Sequence, residues 1–282
     1  MRMNCNMLIV YSSPAGTTRH VSRVIDHALK QRGYDPLMID LGCSNDCSTL
    51  NVLLKDSSEN HCLWIGSPVY AGHAVPPVME IISQLPEGSN NYAVPFVTWG
   101  AVTSGIALYE MANRLAEKGY DVLGAAKIVA VHSMMLDMEN PLGEGHPDGE
   151  DDDMIRGLVE NVAVKLEGDT CTKILPEGVN YQPKETYESL KKISIQEVKK
   201  MFPHRQIDED ACTQCGTCIE VCPAGAVTLD PFPMFGDKCF LCYNCVRLCE
   251  HNAIKIDLTA FKSKLKDGAK KMNERPLSQI IV

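Results

Sequence analysis

The sequence predicts an α/β protein in which a doubly wound parallel sheet is followed by a small, cysteine-rich α+β domain. In residues 1–168, apolar strand-like runs alternate with helical ones, which is typical of a parallel sheet covered by helices. In the last third of the chain, eight of the 13 cysteines lie between Cys212 and Cys249. The 282 residues are 45% hydrophobic and 22% charged, so the chain is long and apolar enough for two folded domains.

Five short apolar runs bounded by turn residues predict the strands of the sheet. We expect strands at 7–11, 34–40, 61–68, 92–100 and 120–131. We expect helices at 17–31, 50–55, 75–85, 104–118 and 151–166. Pro76 and Pro77 fit the first turn of the third helix, where amide donors are not needed. Gly33 and Gly119 end the first and fourth helices.

The loops after the first, third and fourth strands are predicted to form a ligand crevice. We expect the strand order 2-1-3-4-5, and ligands of such sheets bind at the carboxyl edge where the order reverses. The first loop, "YSSPAGTTRH", leads straight into a helix. Its hydroxyls, its backbone amides and the helix dipole suit a phosphate group. The alternative is that the serines and threonines only cap the helix.

The other two loops each combine an aromatic residue with glycines. Tyr70 lies in "GSPVYAGHAVPP" and Trp99 in "TWGAVTSGIAL". Aromatic faces and accessible backbone amides suit a flat ring, while either aromatic alone is also common at the edge of a core. His73, His132 and Met134 are weaker candidates beside these loops. The candidate binding residues are Ser12, Ser13, Pro14, Ala15, Gly16, Thr17, Thr18, Pro68, Val69, Tyr70, Ala71, Gly72, Thr98, Trp99, Gly100 and Gly105.

Two cysteine runs repeat one spacing, C-x2-C-x2-C-x3-C. Three thiolates at intervals of three residues can converge on one iron–sulfur cube. The spacing is typical of bacterial two-cluster ferredoxins, whose fourth cysteine ligates the other cluster. Structural zinc, which favours two separated C-x2-C pairs, fits it less well. We predict one [4Fe–4S] cluster on Cys212, Cys215, Cys218 and Cys249. We predict a second on Cys239, Cys242, Cys245 and Cys222.

Both parts of the chain resemble known families. Residues 206–257 resemble a bacterial-type 2[4Fe–4S] ferredoxin domain, and residues 1–168 resemble flavodoxin-like domains. "SPAGTT" is similar to the flavodoxin phosphate loop, onto which Ser13, Gly16 and Thr18 match. Pro14 and Ala15 depart from that loop, because Pro14 has no N–H and Ala15 replaces a hydroxyl residue or Gly. The chain is similar to proteins that fuse the two modules, which implies FMN beside two [4Fe–4S] clusters.

The activity that this resemblance implies is electron transfer. Each cluster moves one electron and FMN accepts one or two, so we expect an electron-transfer flavoprotein that serves a redox partner protein, as its acceptor or its donor. Two alternatives stay open. One is a flavin-dependent reductase of a quinone, nitro or enone acceptor, and the other is a ferredoxin whose second domain binds no cofactor. A proton-transfer pair or nucleophile does not stand out in the sequence.

Charge and hydropathy exclude several other classes of protein. The net charge of −9 argues against a nucleic-acid partner, because binding a phosphate backbone needs a basic surface. We expect no membrane span, since the sequence has no run of about 18 apolar residues. The continuous apolar stretch at residues 7–10 is too short for a signal peptide. We expect a cytoplasmic protein and leave a homodimer open.

Composition and punctuation divide the chain into four segments. We expect a flavodoxin-like domain at 1–168, a connector with a helix at 169–205, a ferredoxin domain at 206–257 and a basic helix or tail at 258–282. Six basic and two acidic residues lie within 261–275, so we expect this tail to pack on the acidic first domain. Five further thiols, at positions 5, 43, 47, 62 and 171, lack a set of partners at ligand spacing.

Overall fold

The computed structural model describes residues 5–42, 60–87, 91–168 and 172–282, and these contain twelve strands and nine α-helices. The strands are β1 (Asn6–Tyr11), β2 (Leu37–Asp40), β3 (His61–Tyr70), β4 (His73–Ala74), β5 (Asn91–Trp99), β6 (Tyr120–Val122), β7 (Ala125–Val129), β8 (Gln206–Ile207), β9 (Val227–Leu229), β10 (Pro233–Phe235), β11 (Ile254–Lys255) and β12 (Gln279–Ile281). The helices are α1 (Thr17–Gln31), α2 (Pro76–Gln84), α3 (Ala107–Glu117), α4 (Gly149–Glu167), α5 (Lys184–Leu190), α6 (Ile195–Met201), α7 (Thr217–Glu220), α8 (Asn244–Arg247) and α9 (Thr259–Met272).

The main sheet has the strand order β12-β7-β5-β3-β1-β2. Strands β2, β1, β3, β5 and β7 pair in parallel, so the predicted order 2-1-3-4-5 is confirmed. The predicted strand at 120–131 is two strands, β6 and β7, which both pair with β5. Gly124 separates them where α4 packs closely, since a Cβ on Gly124 would lie 2.7 Å from Leu158 Cδ1.

Both faces of the sheet are covered, as in other doubly wound folds. Successive strand residues point to opposite faces, so Ile9 belongs to one buried cluster and Val10 to the other. Helices α1 and α4 cover the Ile9 face, and α2 and α3 cover the Val10 face. The near-continuous burial of β3 and β5 is what strands covered on both faces require.

The cysteine-rich region forms two small antiparallel strand pairs, β8 with β11 and β9 with β10. A short helix accompanies each cysteine run: α7 follows Gly216 and α8 follows Tyr243, both of which have positive φ. The strands predicted at 226–230 and 253–257 correspond to β9 and β11. The helix predicted in the connector is two helices, α5 and α6. The second of them begins after Ser194, which caps its N-terminus in a capping box with Glu197.

The C-terminal segment packs on the first domain. β12 adds a sixth, antiparallel strand beside β7, which the sequence analysis did not predict. The buried Lys127 ammonium lies 2.7 Å from Glu274 Oε1, and Trp99 Nε1 donates to Leu277 O at 2.9 Å. Lys262 also pairs with Asp137. The tail therefore closes one edge of the sheet through both backbone and buried side-chain contacts.

Two sequence expectations need a structural note. The helix expected at 50–55, like Cys43, Cys47 and Cys171, lies outside the described residues. None of the helices within the described ranges is both long and apolar enough to cross a membrane.

The Lys127–Glu274 pair predicts a large stability loss in a Glu274→Gln variant. Its side chains are 1% and 9% exposed, and Glu274 also accepts from Thr103, Ser104 and Gln182. Leaving Lys127 charged and unpaired should cost about 3–5 kcal/mol in the free energy of unfolding. Urea titration at pH 7 measures this loss. Glu188→Gln, at an exposed position, is the matched control and should change stability by less than about 0.5 kcal/mol.

The same pair predicts a pH dependence. Burial opposes ionisation of Glu274, but hydrogen bonds from Lys127 and Ser104 outweigh it and hold the pKa of Glu274 below its ordinary value of 4.5. A lowered folded-state pKa contributes stability above pH 4.5 that is lost as the pH falls through the folded value. The difference between the parent protein and Glu274→Gln should therefore shrink at acidic pH. A difference that stays constant with pH contradicts the assignment.

Candidate cofactor site

The loop between β1 and α1 borders a cavity at the start of the helix. Gly16 precedes α1 with φ 89°, gives the helix no side-chain cap, and has no atom within 4 Å of the position that a Cβ would occupy. Ser13 Oγ accepts from Arg19 N at 2.8 Å, and the Thr18 and Thr98 hydroxyls lie 2.8 Å apart. Ser12 Oγ is buried without a hydrogen-bond partner among the described residues. The loop thus keeps polar groups and open space at a helix N-terminus.

Both domains line the cavity at this loop. Its volume is about 430 Å³. Residues 13–16, Arg19 and Asp40 line it from the first domain, and Val221 and Asn244 line it from the cysteine-rich domain. Arg19 Nη2 donates to Asp40 Oδ2 at 2.7 Å, so this cation is already paired. Of the predicted loop residues, Ser13, Pro14, Ala15 and Gly16 line the cavity.

A second cavity, of about 250 Å³, lies at the loops after β3, β5 and β7. Val69, Tyr70, Ala71 and Gly100 line it, as predicted, and His132 and Met134 join them. Its remaining wall is apolar and comes from other parts of the chain. That wall consists of Ile195, Val198, Met201 and Phe202 in and after α6, Leu241 in the second cysteine run, and Phe261 and Leu265 in α9.

Three side chains of this region have perturbed pKa values or fixed partners. Burial lowers the pKa of His132 to about 4, so its imidazole is neutral at pH 7. Burial and then the neighbouring Cys242 thiolate raise the pKa of Tyr70 to about 12, and Tyr70 Oη lies 3.4 Å from Ser133 Oγ. The sequence makes His73 a weaker candidate beside these loops. In the structure its imidazole contacts the Glu110 carboxylate and the Leu190 carbonyl.

Several predicted residues shape the loops without lining either cavity. Gly72, which has positive φ, forms the tight turn between β3 and β4 together with Ala71, a residue that also lines the second cavity. A Cβ on Gly105 would lie 2.0 Å from Gly72 O, so both loops depend on this close approach. Trp99 is 2% exposed, with its indole N–H on Leu277 O. Thr17, Thr18, Pro68 and Thr98 likewise are not among the residues that line the two cavities.

One group of four cysteines surrounds a small cavity in the cysteine-rich domain. Its members come from both sequence runs and are Cys212, Cys215, Cys218 and Cys249. Cys249 Sγ accepts from Ala253 N at 3.3 Å, and Cys215 is exposed to solvent. The structure therefore brings together the four thiols predicted for the first cluster.

Of the other four predicted ligands, Cys242 packs with the buried cluster of the first domain, while Cys245 and Cys222 pack within the cysteine-rich domain. Cys242 is 9% and Cys245 6% exposed. Burial, with Cys245 and Cys222 among the further causes, raises the pKa of the Cys242 thiol to about 12. Burial also raises the pKa of Cys245 to about 11, with contributions from Cys239 and Cys222. Cys222 Sγ accepts from Ala226 N at 3.2 Å, the same i+4 contact that Cys249 makes in the repeat.

The second cysteine run docks on the loops of the sheet. Phe240 is 1% exposed and meets Tyr70 edge to face, with ring centroids 5.5 Å apart. Phe240 and Cys242 belong to the same buried cluster as Val10 and Leu63 of the sheet. Arg247 Nη1 donates to Cys242 O at 2.7 Å, while its Nη2 donates to Pro14 O at 3.1 Å. Arg247 thus links a predicted cluster ligand to the predicted phosphate loop.

Arg205 is a buried cation beside the second group of cysteines. Its Nη2 donates to Cys239 Sγ at 3.1 Å, and its guanidinium lies over the rings of Phe235 (4.2 Å) and Tyr243 (5.1 Å). Arg205 Nε is buried without a protein acceptor among the described residues. Burial lowers the pKa of Arg205, but the Cys239 and Cys245 thiolates outweigh this and raise it.

The donor sets fit the cofactors expected from the sequence. Groups of four thiolates are the usual ligands of iron–sulfur clusters. The Arg205 guanidinium, which contacts Cys239, also has a buried Nε donor without a protein acceptor among the described residues. The start of α1, where Gly16 gives no side-chain cap, the unpartnered Ser12 hydroxyl and the open space at Gly16 fit a phosphate group. The apolar cavity at Tyr70 fits one flat ring.

Sequence reasoning missed the residues supplied by distant segments. The apolar faces of α6 and α9, and the cations Arg205 and Arg247, lie far from the loops in sequence. The spacing of Phe261 and Leu265 on α9 is the sequence signal that could have indicated this apolar face. The positions of Arg205 and Arg247 beside the cysteine runs gave no comparable indication of a contact.

Comparisons with known proteins agree with part of this picture. A family model described as "4Fe-4S binding domain" matches residues 205–228, which supports 4Fe–4S binding by the first cysteine run. No curated protein matches the chain. Among solved structures, the chain is similar to the rubredoxin oxygen:oxidoreductase of Desulfovibrio gigas, with 18% identity, a TM-score of 0.44 and coverage of 57% of this chain and 36% of that chain. This chain therefore matches only about a third of that oxidoreductase.

Two flavodoxins are also similar. The chain is 19% identical to a flavodoxin from the domain Archaea, with a TM-score of 0.43, over 58% of this chain and 99% of that chain. It is 20% identical to Megasphaera elsdenii flavodoxin, with a TM-score of 0.38, over 56% of this chain and 98% of that chain. Because these TM-scores are below 0.5, the fold assignment rests on the strand order described above.

The grouping of the thiols predicts that Cys242→Ala loses iron and Cys62→Ala does not. Cys242 lies in the second group of cysteines, whereas Cys62 is buried in the sheet far from both groups in sequence. Iron and acid-labile sulfide per chain, measured after anaerobic purification, check this. Far-ultraviolet circular dichroism shows whether each variant is folded. Unchanged iron in folded Cys242→Ala contradicts the prediction.

Proposed function

We propose that this protein is an iron–sulfur flavoprotein that transfers electrons between two [4Fe–4S] clusters and FMN and exchanges them with a redox partner protein. The observation that carries the proposal is the docking of the second cysteine run on the crevice of the parallel sheet. Cys242 is buried there with the sheet, Phe240 touches Tyr70, and Arg247 holds Pro14 O. A predicted cluster ligand and the predicted flavin loops thus share one packed interface.

The two groups of cysteines support two clusters with crossed ligation. The first cluster would bind Cys212, Cys215, Cys218 and Cys249. The second would bind Cys239, Cys242, Cys245 and Cys222. The support is that one cavity is lined by the first four thiols, and that Cys222 and Cys249 hold equivalent positions in the two runs, each accepting from the amide four residues further on. This is the ligation pattern of bacterial two-cluster ferredoxins.

The loops of the sheet would hold FMN in two parts. The phosphate would lie at the start of α1, against Ser12, Ser13 and Gly16, where backbone amides and the helix dipole favour an anion. The ring would lie in the cavity beside Tyr70 and His132. When bound, iron–sulfur clusters carry single electrons and a flavin accepts one or two, so the pair would connect one-electron and two-electron chemistry.

The chain's own residues would keep the route between the cofactors short and dry. Phe240, Leu241 and Tyr70 fill the space between the ring cavity and Cys242, and their burial excludes water. Neutral His132 adds no charge to the cavity wall at pH 7. Arg247 fixes the distance by binding both domains. The protein's contribution is thus orientation and exclusion of solvent.

The size of the ring cavity favours a carrier over a small-molecule reductase. Its volume of about 250 Å³ is below the range of typical ligand pockets, which is about 300–1,000 Å³. Helices α6 and α9 cover it, and the stacked Phe202 and Phe261 rings, 4.0 Å apart, join them. A bound ring would leave little room for a second molecule. We therefore propose that electrons leave to a partner protein.

Cofactor content tests the proposal directly. Anaerobically purified protein should contain about eight irons, eight sulfides and one FMN per chain, as two four-iron clusters and one flavin require. Metal analysis, sulfide assay and chromatography of the flavin released on heating measure these amounts. Zinc in place of iron would overturn the cluster assignment. Full iron without flavin after reconstitution with FMN would instead favour a ferredoxin with a cofactor-free docking domain.

The interface predicts slower electron exchange in Arg247→Gln. A hydrogen bond from a charged donor contributes about 1.5–3 kcal/mol, so losing the contact to Pro14 O should lower the docked population about tenfold or more. Stopped-flow reduction followed at flavin and cluster wavelengths measures the rate between the cofactors. Arg23→Gln on the exposed face of α1 is the matched control and should leave the rate unchanged. Equal rates in both variants, with full cofactor content, contradict the role of the interface.

A further inference from the structure

The two groups of cysteines have different electrostatic surroundings. Residues 206–225, which carry the first run, contain four acidic residues and no lysine or arginine. Residues 233–249, which carry the second run, contain one acidic and two basic residues. The connector adds a basic wall beside Cys239, formed by Lys199, Lys200, His204 and Arg205. The second group of thiols is therefore bordered by several cations.

Arg205 is the cation that reaches a sulfur atom. It donates to Cys239 Sγ at 3.1 Å, and Phe235 and Tyr243 hold its guanidinium plane from their ring faces. Such cation–π contacts fix the orientation of the guanidinium and leave its donors available. The Nε donor remains buried without a protein acceptor among the described residues. Arg205 thus places a positive charge and one N–H donor, from Nη2, on a sulfur of the second group.

No equivalent cation reaches the first group within the part of the chain that the structure describes. Cys215 Sγ contacts the Thr217 hydroxyl at 3.3 Å, and Cys249 Sγ accepts from a backbone amide. Lys255 lies nearby but pairs with Asp208 at 2.7 Å, which neutralises one of the four carboxylates. The first group also includes the exposed Cys215, so solvent screens its charges more effectively.

This asymmetry acts on reduction because an added electron increases the negative charge of a cluster. Hydrogen bonds to ligand sulfurs and nearby charges set cluster potentials, and a cation stabilises the reduced form. The effect of Arg205 is strong because it is partly buried, where charges interact more strongly than in water. The acidic residues around the first run disfavour an added electron and therefore lower the reduction potential of the first cluster.

We propose that Arg205 raises the reduction potential of the cluster on Cys239, Cys242, Cys245 and Cys222, so that this cluster is reduced before the one on Cys212, Cys215, Cys218 and Cys249. The inference rests on the proposed function, since it requires both clusters. A low-potential one-electron donor then loses one electron as the second cluster gains it, so this electron resides mainly on the second cluster while the first cluster stays oxidised. That cluster is the one packed against Tyr70 and the ring cavity.

A redox titration followed by electron paramagnetic resonance tests this in the full-length holoprotein. The parent protein should show two reduction steps. In Arg205→Gln the more positive step should shift to a lower potential, with the reduced-to-oxidised ratio at a fixed potential falling about tenfold, which is 59 mV for a one-electron couple. Arg205→Lys, which keeps the charge, should lie between the two. Cys215→Ser identifies the step of the first cluster, because its potential should change in that variant alone.

Lys200→Gln is the matched control, since it removes a cation from the same basic wall at an exposed position without a sulfur contact. This variant should shift the reduction potential of the second cluster much less than Arg205→Gln does. A shift confined to the first cluster, no shift in an Arg205→Gln protein with both clusters, or identical potentials for Arg205→Lys and Arg205→Gln would overturn the inference. Iron content distinguishes failure of this inference from failure of the proposed function. A parent protein with fewer than two clusters contradicts the proposed function, whatever the potentials of the variants.

Discussion

The burial of the Phe240–Cys242 segment against the carboxyl edge of the sheet is the contact on which the site depends. Phe240 is nearly fully buried there, and its ring meets Tyr70 from the loop after β3. Leu241 then lines the ring cavity, while Asn244 and Leu248 from the next turn line the cavity at Gly16. Both cavities are therefore interfaces, and neither domain alone would enclose them. Packing a cysteine loop on the sheet positions the cluster ligands and closes the ligand crevice at once.

A second constraint comes from the C-terminal segment, which covers what the cysteine-rich domain leaves open. α9 supplies Phe261 and Leu265 to the ring cavity, and β12 pairs with β7. Covering an edge strand also removes unpaired backbone groups that could pair with another chain. The buried Lys127–Glu274 pair and the Trp99–Leu277 hydrogen bond lie between these two elements. The same segment thus adds the last strand of the sheet and covers the ring cavity.

Local pattern was enough to predict the strands and helices of the parallel sheet, because each is encoded by its own apolar period and its own turn residues. The strand order is what the resemblance to flavodoxin-like domains implies. The spacing of the cysteines likewise carries its chemistry within a few residues. What could not be predicted are contacts between distant segments. The interaction of Trp99 with Leu277, or of Arg205 with Cys239, depends on how whole elements pack. Trp99 is an example of such a residue. An aromatic residue at the end of a parallel strand suits a ring site, but its burial is explained by its contact with the C-terminal tail.

The exposure of the thiols gives the cysteine-rich domain two different ends. Cys215 is open to solvent in an acidic segment, whereas Cys242 is buried against the first domain with its carbonyl on Arg247, and Cys239 contacts Arg205. Charge exchange with another protein requires close approach, which only the exposed end permits. Exchange with a ligand in the crevice requires the buried end. Because one duplicated motif supplies both ends, the difference between them comes from the surroundings that the rest of the chain imposes: solvent and carboxylates on one side, packed rings and cations on the other.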